Sequence, residues 1–250
     1  MFNIIYGEFL KLKRSYLIIA SIIASIFIPL VQCVMSLSND YTGISDALKS
    51  TLVKDYRTST ELLCFQFLYI IFFAFISGYT FSREFSDKTA NVLYSYPFGR
   101  IKIFAGKLIA IYLIILFVYI CQFAAVYAAL YIAWGELPSL SFIITDIKVN
   151  LYSMLFQFLI ISIPVFIGII TKNIVFPLVY GILAAVSSSF FMAAGGIYLQ
   201  MSPLMLPSLP IYFFYKGDPI DFILLFTNII FILSISILFC IYCCKFMDME

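Results

Sequence analysis

The stretch FSREFSDKTANVLYSYPFGRIKIFAGK, residues Phe81 to Lys107, sets five basic side chains (Arg83, Lys88, Arg100, Lys102 and Lys107) between two long apolar runs. It has the signals of a helix of its own. Ser86 can cap it, Asp87 falls in the first turn where the helix dipole favours an anion, and Pro97 with Gly99 closes it. A short capped helix in a basic loop between apolar runs predicts a docking element, and the rest of the chain is what that element moves.

Working outward, the composition places the chain in a bilayer. Hydrophobic residues make up 64% and charged residues 11% of 250 positions, against about 25% charged in a soluble domain. Six uncharged runs follow one another: Tyr16–Leu37, Leu62–Ser82, Leu108–Trp134, Val149–Ile170, Ile174–Ala194 and Phe222–Cys244. Each reaches the roughly 20 residues that cross a hydrocarbon core about 30 Å thick. Residues 1–14 are amphipathic instead, with Phe2, Ile5, Phe9 and Leu12 on one helical face and Glu8, Lys11 and Arg14 on another, the pattern of a helix lying in the headgroup plane. The stretch Gly195–Asp221 is proline-rich yet too apolar for a solvated loop, and is expected to fold back into the outer leaflet. The fold class is therefore an all-α membrane protein. Residues 1–250 form one transmembrane domain with six transmembrane helices, an N-terminal interfacial helix, a cytoplasmic helix between spans 2 and 3, and a re-entrant outer segment between spans 5 and 6.

Loop charge sets the orientation. With the N-terminus inside, ten Lys and Arg residues (Lys11, Lys13, Arg14, the five of the Phe81–Lys107 loop, Lys172 and Lys245) are cytoplasmic, and five (Lys49, Lys54, Arg57, Lys148 and Lys216) are outside. Both termini are then cytoplasmic, and Tyr131 with Trp134 marks the outer interface. The outer loop Ser38–Glu61 is expected to be polar, with a short helix near Ser45–Val53.

Several chemistries are disfavoured. The chain has no histidine, which removes the commonest general base and transition-metal ligand. Its cysteines lack zinc spacing. Cys33 and Cys64 fall near the outer ends of their spans, where they could meet. None of the six runs contains Asp, Glu, Lys or Arg, although ion-coupled carriers usually mark their pathway with such residues. Gly106-Lys107 resembles the end of a phosphate-binding loop, but Leu108 stands where Ser or Thr must hold magnesium, and Gly99 is two positions too far back. No nucleotide site, cofactor site, metal site or catalytic residue is expected in this chain, nor any nucleic-acid partner. Gln32, Gln66, Gln122, Gln157, Asn228 and Ser187-Ser188-Ser189 put polar groups into the spans, either as interhelical hydrogen bonds or as the lining of a path. Small residues four apart at Ala20/Ala24, Ala124/Ala128 and Gly181/Ala185/Ser189 allow helices to approach closely.

The amphipathic N-terminal helix, the FLKLKRS stretch and the Phe81 loop together resemble an ABC-2 type permease, of the compact six-span group that includes bacitracin-resistance and lantibiotic-immunity permeases. The residues that carry the likeness are Arg83-Glu84, Lys88-Thr89, Leu93, Pro97, Arg100 and Lys107. Lys88 stands where many relatives have Gly. The resemblance implies a bacterial cell-membrane exporter subunit. Its coupling helix would dock a cytoplasmic ATPase through Arg83, Glu84, Lys88, Thr89, Leu93, Tyr96, Pro97 and Arg100, with Leu93 and Tyr96 as apolar anchors. ATP and magnesium would be held by that separate ATPase. It also implies a second six-span permease, like or unlike this one, packed on the first and fifth spans at Ala20, Ala24, Gly181, Ala185 and Ser189. An amphiphilic antimicrobial peptide, taken from the membrane across a surface that includes Met201, Met205, Phe213 and Phe214, would be its cargo. Another amphiphile, such as a secreted amphipathic peptide or a lipid-linked molecule, is the alternative cargo. A secondary carrier and a non-transporting scaffold or sensor are the readings from other classes.

Overall fold

The computed structural model describes residues 2–38, 46–87, 89, 99–135, 137–238 and 241–242, and every element among them is helical. Helix α1 (Phe2–Arg14) ends at Tyr16, whose φ of 59° is rare for a residue with a side chain. That left-handed residue turns the chain from α1 into α2 (Leu17–Leu37). The corner separates a segment with one apolar face from a segment apolar all round.

The second run differs from the sequence reading at both ends. A helix starts at Asp46, well before Leu62, and continues as α3 (Asp46–Leu62), a π-helical stretch (Leu63–Leu68) and α4 (Tyr69–Ser86). The expected short helix near Ser45–Val53 is the beginning of this long element. The cause is a face that repeats every three or four residues: Tyr56, Arg57, Thr60, Glu61 and Cys64 are all buried. At the other end Ser86 does not open a new helix. Its hydroxyl donates to Ser82 O at 3.3 Å as the last residue of α4, and Asp87 caps the helix while pairing with Arg83 at 3.1 Å.

Helix α5 (Arg100–Trp134) contains the longest expected run and begins a full two turns before it. Next come α6 (Leu140–Ile160) and α7 (Ser162–Thr171), interrupted at Ile161, where Pro164 has no N–H to give the preceding turn. After a tight turn at Lys172, φ 51°, α8 (Val175–Ala194) runs back. The 195–221 segment is folded: a short helix Tyr198–Met201, a 3-10 stretch Pro203–Ser208, one turn Leu209–Ile211 and a π-helical stretch Tyr212–Lys216. Helix α9 (Phe222–Ile232) follows, capped by Asp221, whose carboxylate accepts from Ile223 N at 2.9 Å, and it continues as a π-helical stretch Leu233–Ile237.

Five helices among the described residues are long and apolar enough to cross a membrane, including Leu48–Ser86 and Leu140–Thr171 taken as single elements. The sixth expected run, 222–244, is met by the shorter α9 and its continuation, and its last residues lie outside the described set. Helix α4 is the hub. A Cβ on Gly78 would come within 2.7 Å of Pro177 of α8, and one on Gly181 within 2.8 Å of Ala74. On the α7 side, the Ser82 hydroxyl donates to Gly168 O at 3.1 Å. Cys33 and Cys64 are buried free thiols, and Cys33 Sγ lies 3.7 Å from Ala129 O, so they do not pair.

Candidate functional site

Two buried ionic clusters stand at opposite ends of the α4–α5 pair. The end carrying α1, Asp87 and Gly99 is the loop end, and the end carrying residues 195–221 the cap end. At the loop end Lys107, at the start of α5, gives Nζ to Glu84 Oε2 of α4 at 2.6 Å and to Thr80 O at 3.1 Å. Glu84 Oε1 accepts from Lys11 of α1 at 2.9 Å, and Lys11 also meets Glu8 at 2.8 Å. Lys107 and Glu84 are nearly inaccessible to solvent. Two cations and two anions balance, as burial of charge demands. Burial acts to lower the amine's pKa, but hydrogen bonds and attraction from Glu8 and Glu84 outweigh it and hold Lys11 above its ordinary value. Helix α1 fits here because Gly106 leaves room for Ile4: a Cβ at 106 would lie 2.7 Å from Ile4 Cγ2.

At the cap end Arg57 is completely buried between Asp146, at 2.8 Å from Nε, and Glu61, at 2.9 Å. Its guanidinium lies 5.7 Å from the ring centres of both Phe123 and Tyr127. Asp146 is saturated with donors. Its Oδ2 also accepts from Tyr127 at 2.7 Å, and its Oδ1 from Tyr215 at 2.6 Å and Asn150 at 3.2 Å. Burial first, then the charges of Glu61 and Asp146, push the Tyr215 phenol far up, so it remains a donor. The cluster thereby ties α3, α5, α6 and the Tyr212–Lys216 stretch together.

The helical rise from Lys107 to Tyr127 is about 30 Å, and from Glu61 to Glu84 about 34 Å. That is the thickness of a hydrocarbon core. Between the clusters the shared surface is apolar and aromatic: Phe65, Tyr69 and Phe73 pack on Tyr119 with ring centres 5.0, 5.3 and 6.5 Å apart.

Of the residues expected to dock a partner, Lys88, Leu93, Tyr96 and Pro97 lie outside the described residues. Arg83 is half-exposed over the Tyr79 ring, Arg100 is exposed at the first turn of α5, and Thr89 is exposed with its N–H on Glu84 O at 2.9 Å. Glu84 faces inward, with both oxygens bonded inside the chain. Of the small residues, Gly181 and Ala185 are buried, Gly181 against α4, Ala24 is buried on α2, and Ala20 and Ser189 are half-buried. Met205 is fully buried in the cap end, Phe214 is partly buried, and Met201 and Phe213 are exposed. Gln66 and Ser188 bond each other's carbonyls at 3.1 and 3.4 Å, so that pair of polar span residues is interhelical hydrogen bonding.

The sequence reading missed the cap-end cluster. Arg57 and Glu61 do carry a signal, since they stand four apart directly before an apolar run, but nothing in the sequence couples Asp146 to them.

The bundle and its bracketing ionic clusters define a multi-pass helical membrane protein in which the loop-end ion pairs join three helices, α1, α4 and α5. A protein-family model, described as ABC-2 family transporter protein, matches residues 4–188, and the chain belongs to that family. It is thus a membrane-spanning transport component, in a family that associates with an ABC ATPase. No curated protein and no solved structure matches the chain.

Proposed function

We propose that the chain is the permease subunit of an ATP-driven exporter that expels an amphiphilic antimicrobial peptide. The ATPase, with ATP and magnesium, is a separate subunit docked on the 88–98 segment, and a second six-span permease completes the complex. The cargo reading rests on the cap end. A cavity of about 470 Å³ is lined by Leu199, Leu209, Tyr212, Phe213 and Ile220, with Asp218 and Asp221 beside them. A second, of about 190 Å³, lies on the other side of Leu209, Phe213 and Ile220, against Tyr152 and Phe156. An apolar pocket with two acidic residues in its lining, as in the first, suits a cationic amphiphile. Burial, and next the Asp218 charge, push the Tyr212 phenol up to about 12, leaving a neutral hydrogen-bond donor beside the first cavity.

The loop end supports the mechanical part of the reading. Glu84 and Lys107 flank the docking segment and are joined at 2.6 Å, so a push on that segment moves α4 and α5 as one body and carries α1 with them. The test is expression with the partner subunits in a sensitive host. Tolerance to a pore-forming cationic peptide should rise, and Phe213→Ser should reduce it more than it reduces protein level. Unchanged tolerance across several such peptides overturns the cargo; failure of any ATPase to co-purify overturns the exporter.

A further inference from the structure

The cap-end cluster does not balance. Arg57, Glu61 and Asp146 are each inaccessible to solvent, and together they carry one guanidinium against two carboxylates. A carboxylate buried without compensation is among the most costly arrangements in a protein. The hydrogen bonds show where the excess sits. Asp146 has both oxygens engaged by Arg57, Tyr127, Tyr215 and Asn150. Glu61 has Oε1 engaged, by Asn150 Nδ2 at 2.7 Å and Arg57 at 2.9 Å, whereas its Oε2 is buried without a hydrogen-bond partner among the described residues.

Asn150, which touches Glu61, and the helix faces around it carry further unpaired polar atoms. Asn150 Oδ1, on the amide whose nitrogen touches Glu61, is buried without a partner, and so is the Ser153 hydroxyl one turn along the same face of α6. The pairs Tyr127–Asp146 and Tyr112–Phe158 set α5 and α6 antiparallel, which puts Gln122 level with Asn150. Both polar atoms of the Gln122 amide are buried and unpaired. Donors without a hydrogen-bond partner among the described residues are present as well, on Arg57 Nη1 and Nη2 and Gln122 Nε2. The one guanidinium, however, is shared between Asp146 and Glu61 Oε1 and stacks near the Phe123 and Tyr127 rings, so one negative charge stays in surplus.

We infer that the cap-end cluster binds one small monovalent cation, a proton or Na⁺, at Glu61 Oε2 beside Asn150 Oδ1. One unit of positive charge there neutralises the cluster and fills its open oxygen. The titratable groups facing Glu61 are Arg57 and Cys64 on its own helix, Tyr119 and Tyr127 on α5, Asp146 on α6 and Tyr215 on the cap segment. Because Tyr215 bonds the same Asp146, occupancy steadies the attachment of the cap segment to the spans. The inference is independent of the cargo.

Thermal unfolding of the purified full chain in zwitterionic nanodiscs tests it in two arms. In one, NaCl replaces choline chloride at constant ionic strength and fixed pH; in the other, pH is lowered in sodium-free choline medium. One arm should raise the midpoint of the wild type, by about 3–6 °C for each tenfold of cation above its dissociation constant, and the responding arm identifies the cation. Glu61→Gln, which removes the surplus charge at nearly constant shape, should abolish that response, while Asp55→Asn, exposed on the same helix, should keep it. Should Glu61→Gln not reach the membrane, Asn150→Ser takes its place and must move the midpoint concentration at least tenfold. A wild type indifferent in both arms, or a Glu61→Gln or Asn150→Ser protein that responds as the wild type does, overturns the site.

Discussion

Lys107 shows how much a single side chain carries in this fold. Its ammonium reaches Glu84 Oε2 and Thr80 O from the first turns of α5. Replacing it by Met keeps the volume and removes the charge, so Glu84 retains Lys11 alone. Stranding a buried carboxylate costs about 3–5 kcal/mol, and the thermal midpoint of Lys107→Met should fall by roughly 10 °C. A fall within 2 °C, about the shift for 1 kcal/mol or less, would show that Lys11 suffices. Lys11 gives a pH signature of its own. Its amine is held above the ordinary value in the folded chain, so its contribution is complete below the unfolded value near 10.4 and is lost as pH rises through the folded one. Wild type and Lys11→Met should therefore differ by a constant amount between about pH 6 and 9 and converge at higher pH. A gap that already closes at neutral pH would contradict the assignment.

At the scale of elements, the closest helix approaches make the sharpest predictions. Gly78→Ala sets a methyl group 2.7 Å from Pro177 Cβ, where neither backbone yields easily, and should cost about 1–3 kcal/mol, read as a lower unfolding midpoint. A Cβ at 106 would stand 3.4 Å from that of Ile4, close to disulfide geometry. Ile4→Cys with Gly106→Cys, in a background without the native cysteines, should cross-link under mild oxidant, seen as loss of two free thiols by mass. No cross-link would mean that α1 does not rest on α5. The same elements show what the sequence could convey. Long apolar runs and an amphipathic first segment were legible because hydropathy and the 3.6-residue period are local properties. The extension of α3 to Asp46 was not, because Arg57 and Glu61 read as solvated charges until Asp146, far along the chain, is brought beside them. Glu84 misled in the same way: charge in a basic loop reads as outward-facing, and only its distances to Lys107 and Lys11 turn it inward. The folded cap segment was half legible, its apolar character from composition and its 3-10 and π turns from nothing local.

For the whole molecule, the expected orientation puts Thr89 on the cytoplasmic side and Ser139 outside. Cysteines at these exposed positions should differ: an impermeant thiol reagent added to intact cells should label Ser139→Cys, and Thr89→Cys only after permeabilisation. The reverse pattern would invert the protein in the membrane. The two ionic clusters also give the bundle a fixed length. Most spanning helices adapt to a thinner or thicker bilayer by leaning. Here α4 and α5 are pinned to each other at the loop end, and α3, α5 and α6 at the cap end, so no one of them can lean apart from the others without breaking a buried ion pair or hydrogen bond. The bundle then meets a change of thickness as one body, and the lipid takes up what a common tilt does not. Stability in bilayers of graded acyl-chain length should then trace a peak, highest where the hydrocarbon thickness meets the spacing of about 30 Å and lower on both sides. A flat plateau would show that the helices adapt one by one in spite of the pins; a peak would mean that this bundle makes the membrane stretch or thin to fit it.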